Sequence, residues 1–66
     1  MQTKTADKLI KQQATVDIQG KYDPRPFKAT FIRRTRRCVT LDYVSYNGKE
    51  VKDGLFYLSD IELVKG

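Results

Sequence analysis

Histidine and tryptophan are absent, and cysteine occurs once, at Cys38. A lone thiol cannot close an intramolecular disulfide. With no imidazole to join it, it also cannot build the ligand sets that hold structural zinc. No metal and no cofactor is therefore expected. A small domain without a disulfide framework fits a reducing compartment, so a cytoplasmic location is expected. No apolar run approaches the ~20 residues that cross a bilayer. The stretch from Met1 to Lys11 is polar with isolated hydrophobes, unlike a secretory leader. Prolines number two and glycines four, too few for a low-complexity chain, and no internal repeat occurs.

The 66 residues are 39% hydrophobic and 32% charged, the balance of one globular domain. A domain of this size buries only roughly 60% of the surface its unfolded chain exposes, which leaves little room for a deep cleft. The net charge is +5, and it is unevenly placed. Seven of the 13 basic residues lie between Lys21 and Arg37, where Asp23 is the lone acid. The last third is net acidic. Segregation of this kind makes a one-sided field that attracts a polyanion or an acidic protein face.

Within that basic third, Arg33-Arg34-Thr35-Arg36-Arg37 stands between two runs with strand periodicity. Guanidinium forks match the oxygens of phosphate and carboxylate, often bidentately. Arg33, Arg34, Arg36 and Arg37 are the first candidates for an anionic partner, with Lys28, Arg25 and Lys21 beside them in sequence. The competing reading is a solvated turn.

Residues 1–13 read as a polar helical arm with Thr5 as its cap and Leu9, Ile10 and Ala14 as its apolar stripe. A free helix this short is marginal in water, so it must dock or stay loose. Residues 14–66 read as the folded domain. Val16 and Ile18 alternate with polar neighbours, which marks a strand ended by Gly20. Lys21 to Pro26 is a loop in which Pro24 and Pro26 flank Arg25. Phe27, Ala29 and Phe31 mark a second strand, through about Ile32. The next turn falls on Arg34, Thr35 and Arg36. The longest strand is Arg37 to Tyr46, with Val39, Leu41 and Tyr43 on one face and a bulge near Tyr43. Asn47-Gly48 and Asp53-Gly54 are turn signals. Leu55 to Leu58 is a fourth strand, Ser59-Asp60 starts a single helical turn, and Glu62 to Lys65 is a last strand. The sum is an all-β chain with one short N-terminal helix. Five short strands must close or nearly close to bury one face, which gives a small barrel.

The ending Gly54-Leu55-Phe56-Tyr57-Leu58-Ser59-Asp60-Ile61-Glu62-Leu63-Val64 resembles the close of a Src-homology-3-like barrel. The resemblance covers Thr15 to Lys65. It implies a five-stranded barrel whose last two strands are joined by a 3₁₀ turn. Signalling members of that fold bind proline-rich peptides in an aromatic groove, whereas this chain lacks tryptophan and has a basic long loop. Other barrels of that shape bind nucleic acid or serve as subunits of larger complexes.

Tyr22, Phe27, Tyr43, Tyr46, Phe56 and Tyr57 supply aromatic surface that could stack on bases where it faces outward near the arginines. The competing reading puts Phe27, Phe31, Tyr43 and Tyr57 in so small a core, and strand phase assigns Phe31 to it. Tyr22 and Tyr46 lie in or beside loops and are the candidates for stacking on bases. Cys38 has no histidine base and reads as a structural thiol. Asp60, Glu62, Asp53 and Glu50 read as turn-solvating or lysine-neutralising residues. No spacing of a catalytic constellation occurs, so no enzyme activity is expected. The expected function is a non-enzymatic module that binds the phosphate backbone of DNA or RNA through the basic hairpin. The alternative is a small accessory subunit or regulator, of the kind phages encode, docking its basic face on an acidic protein.

Overall fold

A computed structural model describes residues 1–23 and 25–64. One helix, α1 (Thr3–Gln12), precedes five strands: β1 (Thr15–Gly20), β2 (Phe27–Arg34), β3 (Cys38–Val44), β4 (Glu50–Tyr57) and β5 (Ile61–Leu63). A 3₁₀ turn, Leu58–Asp60, joins β4 to β5. The strands form one antiparallel sheet in the order β4-β3-β2-β1-β5. Strands β4 and β5 are thus neighbours in the chain yet lie at opposite edges of the sheet. Laid flat, four inter-strand spacings would part them by about 19 Å. A three-residue 3₁₀ turn, rising ~2 Å per residue, cannot cover that distance. The sheet therefore coils until its edges approach.

Inside the coil sit Ile18, Ala29, Phe31, Val39, Leu41, Leu58 and Ile61, with Ala6 of α1 as a lid. The helix docks on this core: Ala6 is fully buried, and Leu9 and Ile10 pack beside it. Its N-cap is Gln2, without a side-chain cap bond, so Thr5 lies within the first turn and does not cap. The Met1 α-amine donates to the carbonyl oxygens of Leu58 and Ile61 at 2.7 and 2.8 Å, tying the start of α1 to the 3₁₀ turn.

Two irregularities decide where charged residues point. In β2 the register slips between Phe31 and Arg33. Strict alternation from the buried Phe31 would turn Arg33 inward. The extra residue re-phases the strand, so Arg33 pairs with Thr40 and stays exposed, while Arg34 falls in the row of Val39. That row faces α1, and there Arg34 meets Asp7. The second slip lies between Leu41 and Tyr43 of β3, where the bulge was expected, and its other half is in β4. Asp53 there adopts φ 55°, and its N–H donates to the Asp42 carboxylate at 2.9 Å. Asp53-Gly54 is thus a bulge within β4 and not a chain reversal. Aspartate tolerates the left-handed region in either setting, so the dipeptide signals the conformation and not the reversal.

Arg34 belongs to β2 and Arg37 to the turn, so the β2–β3 connection is Thr35 to Arg37, closed by the Thr35 N–H donating to Cys38 O at 2.9 Å. Tyr46 follows β3 and sits in the Asn47-Gly48 turn, which forms as expected, with Gly48 at φ 84°. Tyr57 is exposed and not core: β4 turns Phe56 inward and therefore Leu55 and Tyr57 outward. The expected positions of Pro24 and Lys65 lie outside the described residues. No helix among the described residues is long and apolar enough to cross a membrane.

Candidate functional site

The basic residues singled out from the sequence occupy four separate places. Arg36 and Arg37 form the tip of the β2–β3 turn, and both are exposed. The Leu58 N–H donates to Arg37 O at 2.9 Å, which fixes the tip against the 3₁₀ turn. Together with Lys4 and Tyr57 they line an open concavity of about 800 Å³, whose other walls are the start of α1 and Ser59. No carboxylate among the described residues lines this concavity, and α1 opens into it with no acid in its first turn. Among the described residues, none of Lys4, Arg36 and Arg37 has a carboxylate within 4 Å. The helix N-terminus adds a fixed partial positive charge of the same sign.

Arg33 and Arg34 are compensated. Arg33 Nη2 stands 3.7 Å from Asp53 Oδ1. Arg34 grips Asp7 in a two-point fork, with Nε to Oδ1 at 2.6 Å and Nη2 to Oδ2 at 3.0 Å. This fork holds the Asp7 carboxyl below its ordinary value of 3.8. Because folding makes Asp7 more acidic, the pair favours the folded state above pH 3.8. The contribution fades as pH falls through the depressed folded value. The variant Asp7→Asn is expected to flatten the acid limb of a melting-temperature profile between pH 7 and 2. An unchanged limb would show that the fork adds nothing in solution.

Lys28 lies elsewhere, in a concavity with Lys52 that Asp42 and Glu50 also line. Lys21 and Arg25 are at the far end of the sheet. Arg36 and Arg37 cap the end of β2 at Arg34, whereas Lys21 and Arg25 surround its start at Phe27. Seven strand steps separate those ends by about 23 Å.

That far end is an aromatic groove of about 340 Å³. Its floor is a triad of half-buried rings: Phe27 to Tyr43 at 5.2 Å, Tyr43 to Phe56 at 5.3 Å and Phe27 to Phe56 at 5.9 Å between centroids. Gly54 makes room for the triad, since a Cβ there would lie 2.6 Å from the Tyr43 ring. Tyr22 and Tyr46 stand on the rim at 82% and 69% exposure, so both loop tyrosines are where the sequence placed them. The Arg25 guanidinium lies 3.6 Å from the centre of the Tyr46 ring, and Lys21 Nζ lies 5.6 Å from that of Tyr22. Asp23 accepts from the Arg25 N–H at 3.0 Å and from its guanidinium at 3.2 and 3.3 Å. The backbone bond first, then the guanidinium, lowers the Asp23 pKa below 3.8. With Asp23 and Asp60 beside Lys21 and Arg25, the groove is electrically balanced.

Two participants escaped the sequence reading. Lys4 was legible only as part of a polar arm and the Phe27–Tyr43–Phe56 floor only as scattered strand positions, whereas Tyr57 stood open between the core and an outward face near the arginines. Each belongs to its site through contacts between distant segments. No group of His, Cys, Asp or Glu among the described residues is arranged to hold a metal ion. Comparison with protein families, curated proteins and solved structures gives no match.

Proposed function

We propose that this protein is a non-catalytic nucleic-acid-binding module that grips backbone phosphates at the end built by the β2–β3 turn, the start of α1 and the 3₁₀ turn. One observation carries the reading. Among the described residues, Arg36 and Arg37 are the two arginines of the basic run without a carboxylate within 4 Å, and they share a concavity with Lys4, which also has none. Three uncompensated cations on a braced surface form a local field strong enough to hold phosphate oxygens through charge-assisted bonds. The carboxylates of Asp7 and Asp53 confine that field to the tip by neutralising its flanks.

The topology is consistent with this role. Strand order β4-β3-β2-β1-β5, a long loop after β1 and a 3₁₀ turn before the last strand support placing the chain among Src-homology-3-like barrels. Such a fold lends itself to binding without specifying the ligand. Phosphate contacts position a strand and carry no base sequence, so affinity is expected to be largely sequence-independent.

Salt decides the matter. If three cations engage phosphates, raising salt from ~50 to ~200 mM lowers the affinity for a mixed-sequence oligonucleotide by about 20- to 40-fold. Fluorescence anisotropy measures this directly. No detectable binding at ~50 mM salt would overturn the reading and turn attention to a carboxylate-bearing protein partner.

A further inference from the structure

We propose that the aromatic groove at the opposite end seats one unpaired nucleobase, which makes the module selective for single strands over duplex. The inference rests on the phosphate-binding reading and assigns its substrate class. The groove differs from the turn in what it offers. Its charges cancel, so it attracts no phosphate by field alone. What it presents is aromatic ring surface with a cation beside each rim ring: Arg25 on Tyr46 and Lys21 near Tyr22.

The Arg25 contact is informative about the occupant. A planar, delocalised guanidinium already rests on Tyr46 at stacking distance, while Tyr46 keeps 69% of its surface open. The ring therefore accepts a planar partner without rearrangement and has area left for another. A base offers a planar π face, and the phosphate that follows it matches an adjacent cation. A base inside a duplex has both faces covered by its neighbours. Only an unpaired base exposes one. The volume of about 340 Å³ is at the small end of ligand sites, which run from ~300 to ~1,000 Å³, and so suits one nucleoside rather than a run of them. The half-buried triad beneath supplies a floor that does not swing away.

The groove and the turn are about 23 Å apart along β2. Even at the ~3.4 Å per phosphate of a fully stacked strand, about seven nucleotides cover that distance, so a ten-nucleotide single strand reaches both ends.

The test uses the full chain, a labelled ten-residue oligothymidylate and a ten-base-pair duplex, at ~50 mM salt. With no tryptophan present, intrinsic emission comes from tyrosine. The single strand is expected to quench that emission. Replacing Tyr22 and Tyr46 together by alanine is expected to weaken single-strand binding on the order of tenfold and to leave duplex binding unchanged. Both side chains are exposed, and an unaltered far-ultraviolet circular dichroism spectrum verifies the fold. If the double variant binds the single strand as tightly as the parent, and emission does not respond, the base seat is overturned while the phosphate reading stands. If neither nucleic acid binds, both fall. If a proline-rich decapeptide quenches emission and the oligothymidylate does not, the groove takes a peptide and the proposal is overturned.

Discussion

Reversing Arg36 and Arg37 together, to glutamate, is expected to lower affinity for any oligonucleotide by about a hundredfold or more at ~50 mM salt. Two charge-assisted contacts are lost, each worth about 1.5 kcal/mol or more, and two repulsions replace them. The salt dependence should flatten at the same time, because fewer counterions are released per bound protein. The fold should survive. Both side chains are exposed at a turn, neither has an ion pair to break among the described residues, and the Leu58 bond uses the Arg37 carbonyl, which the substitution keeps. The informative comparison is Arg33→Gln with Arg34→Gln, the other half of the same run. Asp53 and Asp7 already balance those guanidiniums, so this pair should change affinity only a few-fold while costing some stability at Arg34. Anisotropy titrations of the two double variants separate the halves. Equal losses would mean that the run acts as one undivided patch.

That division was not visible in the sequence, and the reason is physical. Five consecutive residues look like one feature, but a strand sends neighbours to opposite faces and a bulge resets which goes where. The bulge after Phe31 leaves no compositional mark. It carries neither glycine nor asparagine, and it exists because the alternative would press Arg33 into the core. The partners that neutralise Arg33 and Arg34 lie 20 and 27 positions away in the chain. No local pattern connects them. The pair at Asp7 also depends on α1 docking, which the arm's composition left open until Ala6 is seen inside the core.

Features with short-range causes were far easier to read. Period-two alternation located β1, β2 and most of β3. Asn47-Gly48 marked its turn because a positive φ was needed there. The run Leu55-Phe56-Tyr57-Leu58 lacks such a cause. Four apolar residues in a row have no phase of their own, so Tyr57 stood open between the core and an outward face. Its phase comes from the bulge at Asp53-Gly54, which turns Phe56 inward and leaves Tyr57 at 60% exposure beside Arg37. Tyr22 and Tyr46 were legible because loops expose their side chains regardless of strand phase.

Burial, rather than residue type, also decides the largest stability effect. Phe31→Ala is expected to remove about 3–5 kcal/mol, the cost of emptying a large, fully buried site. For 66 residues the entire stability is on the order of 3–10 kcal/mol. The variant should therefore be mostly unfolded or melt some 20 °C lower, at the ~4–8 °C per kcal/mol that suits a domain of this size. The loss is hard to recoup. Phe31 pairs with Leu41, donates its N–H to Ala14 O at 3.2 Å and directly precedes the bulge, so the surrounding backbone cannot simply close over the gap. Removing the ring would also loosen the strand phase that keeps Arg33 exposed, coupling the core to the charged end. Tyr22→Ala removes an aromatic side chain of similar size at 82% exposure and should shift stability by no more than about 0.5 kcal/mol. Thermal melts of the two variants, followed by circular dichroism, check the pair. A Phe31→Ala protein melting within a few degrees of the parent would mean that the coiled sheet relaxes into the cavity, and that its core is softer than its packing implies.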